Sequence, residues 1–163
     1  MTQQTTVEQQ ILDQLKQKFG DAIKETKIQR PGRPWANIDK TRFHEVAQFV
    51  KDELGFDHAK AAAGVDFERE KKIEVLYLAA SYSRPELWPI ILHLRTELPR
   101  DDPRMPTLTD VWYSVHFHER EVFEMFGVQF EGHPDLRKLL TLDNWEGPPP
   151  MRKDIRFPEM GST

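Results

Sequence analysis

The sequence predicts an α+β fold: a small mixed or antiparallel sheet, two N-terminal helices, a third helix at about 107–126 and an extended C-terminal tail. Three observations support this prediction. Apolar residues recur at helical spacing before residue 55, they alternate with polar residues between 59 and 98, and five prolines fall within the last 36 residues. We therefore expect an α+β domain at 1–126, followed by an extended interface tail at 127–163.

The first two helices are each marked by an apolar stripe and a glycine stop. In the first helix the stripe ends at Phe19, before Gly20. In the second, Asp39 is placed to cap the helix and Gly55 to end it. The stripes consist of Val7, Ile11, Leu12, Leu15 and Phe19, and of Phe43, Val46, Ala47, Val50 and Leu54.

Five strands are expected from period-two patterns and the turns between them. Two short strands near 27–30 and 35–38 are joined by the turn at 31–34, which contains two prolines and a glycine. Longer strands are expected at 59–67, 73–81 and 87–98. Because proline cannot donate to a sheet, Pro85 and Pro89 predict that the last of these is an edge strand or starts late. A short helix is expected at Asp135–Leu140.

The third helix carries an acidic residue on its apolar face. Thr107 and Asp110 have capping-box spacing, and Gly127 is placed to end the helix after Phe126. On a helical wheel Glu119 falls among the apolar residues that face the core, and an unpaired buried charge costs several kcal/mol. Either the helix rotates so that Glu119 reaches solvent, or Glu119 pairs with a tail arginine, Arg137 or Arg152. The apolar arc consists of Val111, Trp112, Val115, Val122, Met125 and Phe126.

The opposite face of this helix combines aromatic and charged residues. Tyr113 and Phe117 lie there beside Arg120, Glu121 and Glu124. Apolar anchors within a polar rim are typical of protein–protein contacts, although single exposed aromatics are also ordinary. Arg120 and Glu124 have the spacing of a surface ion pair. The tail places Trp145 in a Pro- and Gly-rich stretch with no core of its own, so it either folds back or is covered by a neighbour.

Composition excludes several classes of protein. The chain has no cysteine, which excludes thiolate metal sites, cysteine-bound iron–sulfur clusters and disulfides. No apolar run approaches the ~18 residues of a membrane span, and the N-terminus resembles neither a secretory nor a transit signal. The net charge of −4 without a basic block predicts no nucleic-acid partner.

Catalytic motifs are absent from the sequence. It contains no dinucleotide-binding, phosphate-binding, serine-hydrolase or His-Glu-x-x-His signature. His116 and His118 lie two apart, so on a helix they point about 200° away from each other and cannot share a metal ion. On a strand they could, which leaves a metal-dependent enzyme using these histidines and a glutamate as the lesser alternative. A binding component is the better interpretation.

The last third of the chain carries a family resemblance. The segments 119–127, 130–137, 143–147 and 152–154, preceded by 98–103 and 106–112, resemble the C-type subunit, or 30 kDa subunit family, of respiratory complex I. This complex is the proton-translocating NADH:quinone oxidoreductase. Three positions depart from the family pattern: Phe117 stands for tryptophan, Glu124 for aspartate and Ile155 for an aromatic residue.

The resemblance implies a peripheral-arm subunit that binds no cofactor and is not itself catalytic. It would pack mainly on the D-type subunit of the complex near the quinone site, and also on other peripheral-arm subunits. The complex would pass electrons from NADH through FMN and iron–sulfur clusters to quinone, such as ubiquinone, and transport protons. The protein would lie on the cytoplasmic side of the cell membrane, attached through the complex. The alternative is the same role with another electron donor: deazaflavin, ferredoxin or hydrogen.

The residues expected to matter are interface and structural ones, and none is expected to be catalytic. One group fixes the third helix, a second locks the loop after Gly127, and a third docks the tail, with two exposed aromatics as anchors. The group that fixes the third helix is Glu119, Arg120 and Glu121, and the group that locks the loop is His133, Asp135 and Arg137. The tail-docking group is Trp145, Arg152, Lys153 and Asp154, and the two aromatic anchors are Tyr113 and Phe117.

Overall fold

A computed structural model describes residues 5–154 and confirms the α+β class. Three α-helices and seven strands follow one another along this part of the chain, linked by short 3-10 turns. The elements are α1 (Val7–Phe19), β1 (Ile23–Ile28), β2 (Pro34–Ile38), α2 (Phe43–Asp52), β3 (His58–Phe67), β4 (Lys72–Ala80), β5 (Leu92–Pro99), β6 (Arg104–Pro106), α3 (His116–Phe126) and β7 (Gln129–Glu131).

The main sheet has five strands in the order β1-β2-β5-β4-β3. Strands β2 and β5 are parallel and the other neighbours antiparallel, so the sheet is mixed, as predicted. Strand β5 is central and not an edge strand. Its start is late because Pro85–Leu87 forms a 3-10 turn instead. Strands β6 and β7 form a separate parallel pair.

The sheet buries one face under the helices. Along β4, Ile73, Val75 and Tyr77 are fully buried, whereas the residues between them are half-buried. The ring of Tyr77 lies 5.5 Å from that of Phe43 in α2, and the Tyr77 hydroxyl contacts α3. Helix α1 joins the same core through the contact of Phe19 with α2. The helices therefore share one core, and the opposite sheet face stays half-buried.

Helix α3 begins at His116, so the prediction that Thr107 and Asp110 open it is wrong. A 3-10 turn at Tyr113–Val115 precedes the helix. The Thr107 hydroxyl donates to the Glu119 carboxylate, and the Trp112 indole donates to the Phe56 carbonyl. These buried long-range bonds hold the segment in turns. The end of the helix is as expected, with Gly127 at φ 79°.

The tail is extended, and the helix expected at Asp135–Leu140 is wrong. The amides of Leu139 and Leu140 donate to the side chain of Glu124 in α3, and not to the carbonyls four residues earlier as they would in a helix. Val128 and Phe130 still belong to the core, so packed structure continues past residue 126. The division into 1–126 and 127–163 stays a prediction. Ile155, one of the departures from the family pattern, lies outside the described residues.

Candidate functional site

Glu119 is completely buried, as its place on the helical wheel predicts, but its partners differ from those expected. One carboxylate oxygen accepts hydrogen bonds from the Tyr77 hydroxyl and the Leu108 amide, both at 2.8 Å. The other accepts from Thr107. Neither Arg137 nor Arg152 pairs with it. Burial raises the pKa of Glu119, and hydrogen bonds from Thr107, Leu108 and Tyr77 oppose that rise.

Glu124, five residues further along α3, holds the tail. Its carboxylate accepts from the amides of Leu139, Leu140 and Thr141 at 3.0, 2.8 and 2.6 Å, and from the Thr141 hydroxyl. Burial acts to raise its pKa, but these hydrogen bonds together outweigh it and lower the pKa to about 2. The carboxylate is therefore ionised although only 6% of the residue is exposed.

Arg120 binds the residues immediately before that segment. Its Nε donates to the Arg137 carbonyl at 2.9 Å, and Nη2 donates to the Lys138 carbonyl at 3.1 Å. The expected surface ion pair between Arg120 and Glu124 is wrong, since both are buried and each binds tail backbone. Residues i and i+4 share one helix face, so the two side chains grip consecutive peptide groups. We call Arg120 and Glu124 the tail clamp.

A second attachment holds the end of the described tail. Asp66, 2% exposed, accepts two hydrogen bonds from Arg100 at 2.8 and 2.9 Å and one from the Lys153 amide at 2.8 Å. The hydrogen bond from Arg100 lowers the pKa of Asp66. Arg100 also reaches Asp154 at 2.8 Å, and Arg152 Nε donates to the Phe126 carbonyl at 2.8 Å.

The loop after Gly127 is ordered by His133. Its Nε2 donates to the His116 carbonyl at 3.0 Å, and its Nδ1 accepts from the Asp135 amide at 3.0 Å. The two ring nitrogens of His133 therefore tie α3 to the loop that carries Asp135. Asp135 pairs with Arg137, whose side chain is mostly exposed.

The remaining predicted residues lie at or near the surface. Tyr113 is 73% and Phe117 58% exposed, Glu121 is exposed, and the half-buried Trp145 donates to the Pro148 carbonyl at 3.3 Å. A further exposed segment lies at 139–142, and we call it the leucine loop. Its three leucines, Leu139, Leu140 and Leu142, are 42, 59 and 75% exposed.

Sequence reasoning missed two groups of residues. Tyr82 and Trp88 are exposed aromatics, 62 and 63%, on the turn before β5, a turn that Pro85 and Pro89 signalled. The second group consists of the anchors Asp66 and Arg100. The sequence does contain a signal for this pair. Asp66 is an aspartate at a core-facing position of an otherwise apolar strand.

The metal-enzyme alternative gains no support from this geometry. Across residues 5–154 no group of three or more His, Asp or Glu side chains is arranged to hold a metal ion. His116 and His118 lie on α3, where their side chains diverge, and the His116 ring packs 4.7 Å from that of His133.

The sequence profile of the respiratory-chain NADH dehydrogenase 30 kDa subunit matches residues 36–160, most of the chain. The chain belongs to this family. Among its relatives, the C-type subunit of the F420H2 dehydrogenase of Methanosarcina mazei is 37% identical, over 91% of this chain and 92% of the relative. The C/D-type subunit of the NADH-quinone oxidoreductase of Proteus mirabilis is 31% identical over 91% of this chain, which spans 25% of that longer protein.

Two solved structures share the fold of this 30 kDa-type subunit. A chain of the membrane-bound sulfane sulfur reductase, an archaeal respiratory membrane complex, matches with a TM-score of 0.77 and 27% identity, covering 90% of this chain and 84% of that one. A trypsin-resistant fragment of Nqo5 matches with a TM-score of 0.66 and 31% identity, covering 78% and 97%. Family members thus serve NADH-quinone oxidoreductase and related complexes.

None of the helices between residues 5 and 154 combines the length and apolar character that crossing a membrane requires.

Proposed function

We propose that this protein is a non-catalytic docking subunit of a proton-translocating NADH:quinone oxidoreductase, and that it binds the D-type subunit near the quinone site through the leucine loop. The observation that carries the proposal is the pairing of exposed leucines with buried charges. Leu140 and Leu142 are mostly exposed, while the clamp residues beneath them are nearly excluded from water.

Fixing an apolar loop at the surface has a physical advantage for binding. Burying a leucine side chain contributes about 1.5–3 kcal/mol, and that gain is available only when a partner covers it. The tail clamp orders the backbone before the partner arrives, and fixing the backbone of one residue costs about 1–2 kcal/mol that association then does not have to supply. Two exposed aromatic residues, Tyr113 on the 3-10 turn before α3 and Phe117 on α3 itself, are proposed as further anchors.

The D-type subunit is supported as the partner by a fused relative. In Proteus mirabilis the region similar to this chain forms part of a C/D protein. Domains joined in one relative and separate in another commonly contact each other. The chain carries no cysteine to ligate an iron–sulfur cluster, and we propose that the clusters and the FMN of the complex lie in other subunits. Attachment through that complex would place the protein on the cytoplasmic side of the membrane.

Co-expression with the homologue of the D-type subunit tests the docking proposal. The double variant Leu140→Ser, Leu142→Ser should weaken binding by at least about tenfold, the equivalent of 1.4 kcal/mol. The matched control is Val7→Ser, an exposed apolar residue on α1, which should bind like the unaltered chain. Equal binding by the double variant and the control contradicts docking through the leucine loop.

The electron donor has a second candidate, because a relative that matches along almost its whole length belongs to an F420H2 dehydrogenase. The docking role is the same whether NADH or a reduced deazaflavin supplies electrons. Quinone reduction by the purified complex distinguishes the two donors. Activity with NADH supports NADH as the electron donor. Activity with reduced deazaflavin alone means that the deazaflavin is the donor and NADH is not.

A further inference from the structure

Strand β3 is an edge of the main sheet, and its outer side is open. It pairs with β4 on one side only, since the strand order is β1-β2-β5-β4-β3. Among residues 5–154, one side-chain hydrogen bond reaches its main chain, from the Ser114 hydroxyl to the Ala59 carbonyl at 2.7 Å. Residues 60–65 therefore present main-chain N–H and C=O groups that have no partner on the outer side.

The other edge strand, β1, is protected against further pairing. Its residues Lys24, Glu25 and Lys27 are charged and exposed, and its register with β2 shifts between Ile23 and Glu25. Charges and bulges of this kind prevent an edge from pairing with another chain. Strand β3 has a lysine and a register shift only at its start, and it carries no charge between residues 61 and 65. The contrast indicates that β3 is the edge suited to pairing.

An apolar groove of about 400 Å³ lies along this edge, between β3 and α3. Its apolar walls are Val122, Met125 and Phe126 of α3 and Met151 of the tail. The Phe126 ring packs so close to Gly64 that a Cβ atom there would lie 2.7 Å from it, so the groove meets the main chain of the strand directly. An open strand edge beside an apolar pocket suits an extended peptide, because main-chain hydrogen bonds supply affinity and the pocket holds a side chain.

The course of the tail indicates which partner reaches this groove. The groove and the leucine loop lie on neighbouring faces of α3, since Met125 lines the groove and Glu124 binds the loop, and a helix is only about 10–12 Å across. The described tail ends beside the groove, where the Lys153 amide donates to Asp66 of β3. Residues 155–163 can span at most about 30 Å. A D-type part fused to the end of this tail would therefore start within that distance of β3.

We propose that an extended segment of the D-type subunit pairs with the outer side of β3 as a further strand and places an apolar side chain in the groove. The inference rests on the proposed function, because it adds a second contact to the same partner. The leucine loop supplies apolar surface, and β3 supplies main-chain hydrogen bonds. The continuity of the two surfaces across α3 and the end of the tail at β3 select this occupant.

Amide hydrogen exchange in the complex with the D-type subunit tests the strand pairing. Alternate residues of an edge strand direct their amides outward, so alternate amides among residues 60–65 should exchange at least about tenfold slower in the complex than in the free full-length chain. The amides of residues 24–27 in β1 are the internal control and should not change. No added protection at 60–65, or equal added protection in both strands, overturns the inference. Protection that persists in a complex lacking the D-type subunit overturns the choice of partner.

A lysine on the open edge supplies the second test. Ala63 is exposed, and Ala63→Lys gives β3 the kind of charge that protects β1, so binding of the D-type subunit should weaken by at least about tenfold. Thr26→Lys, which introduces a lysine into the other edge strand, is the matched control and should bind like the unaltered chain. Both variants are first shown to unfold at the temperature of the unaltered chain.

The strand pairing and the proposed function fail in different ways. Unchanged binding by Ala63→Lys, with weakened binding by the double variant Leu140→Ser, Leu142→Ser, contradicts the pairing at β3 and leaves docking through the leucine loop in place. Weakened binding by Ala63→Lys alone supports the pairing and contradicts docking through the leucine loop. If the two subunits form no complex at all, the proposed function is wrong and the strand pairing with it.

Discussion

Helix α3 carries two buried glutamates that behave in opposite ways. Glu119 is surrounded by the core, and burial raises its pKa. Glu124 lies under the tail, and its hydrogen bonds lower its pKa to about 2. The two residues are five positions apart and are 0% and 6% exposed. Exposure alone therefore does not explain the difference.

The donors around each carboxylate explain it. Glu119 receives two hydroxyl groups and one amide, whereas Glu124 receives three consecutive amides and one hydroxyl. Amides fixed in one direction stabilise negative charge, so a carboxylate that accepts two or three of them has a strongly lowered pKa. Glu119 therefore organises the core although burial disfavours its charged form, whereas Glu124 holds the tail as a charged carboxylate.

The largest expected effect concerns the core glutamate. Glu119→Ala leaves the Tyr77 hydroxyl, the Thr107 hydroxyl and the Leu108 amide without their buried acceptor. We expect the free energy of unfolding to fall by about 3–5 kcal/mol, measured by urea denaturation. Glu121→Ala, an exposed neighbour on the same helix, should change it by less than about 0.5 kcal/mol. A loss below about 1 kcal/mol for Glu119→Ala would contradict the statement that Glu119 organises the core.

Removing the tail glutamate should have a smaller global effect and a sharp local one. In Glu124→Ala the released amides can bond to water, so we expect a loss of about 1–2 kcal/mol in the free energy of unfolding. Trypsin should cleave the free chain after Arg137 and Lys138 faster than in the unaltered protein. Glu131→Ala, an exposed change, serves as the control. Equal cleavage rates in all three proteins contradict the clamp.

The pH dependence of unfolding sharpens the contrast, because the two shifts have opposite signs. A lowered folded-state pKa gives stability that is present above the ordinary value of 4.5 and is lost as pH falls toward about 2. A raised one, as in Glu119, gives stability that is present below 4.5 and is lost as pH rises through the folded-state pKa. Glu124→Gln should flatten the gain in stability between pH 2 and 4.5, and Glu119→Gln should remove a decline above 4.5. Slopes identical to the unaltered chain in both variants refute the assignment.

The smallest expected effect lies at the end of the described tail. Asp154 pairs with Arg100, but its side chain is 48% exposed. Solvent screens exposed ion pairs, so Asp154→Asn should leave the urea midpoint of unfolding essentially unchanged. A lowered midpoint would show that the second attachment depends on its exposed partner instead of buried Asp66.

The spacing of apolar residues along the chain predicted the elements that depend mainly on contacts between residues close in sequence. Helices α1 and α2 and the long strands follow their apolar patterns, and the burial of Glu119 follows from its wheel position. The errors arise where distant residues compete for the same groups. Thr107 bonds to Glu119 in place of capping a helix, and Glu124 takes the amides that a helix at 135–140 needs. Tyr77, 42 positions from Glu119, gives no signal in the sequence around that helix.

We propose that the tail clamp fixes the leucine loop before any partner binds. Amide hydrogen exchange of Leu139, Leu140 and Thr141 in the free full-length chain at neutral pH tests it most directly. We expect exchange at least about tenfold slower than in an unstructured peptide, and loss of that protection in Glu124→Ala. Exchange of all three amides at the unstructured rate in the unaltered chain would contradict it.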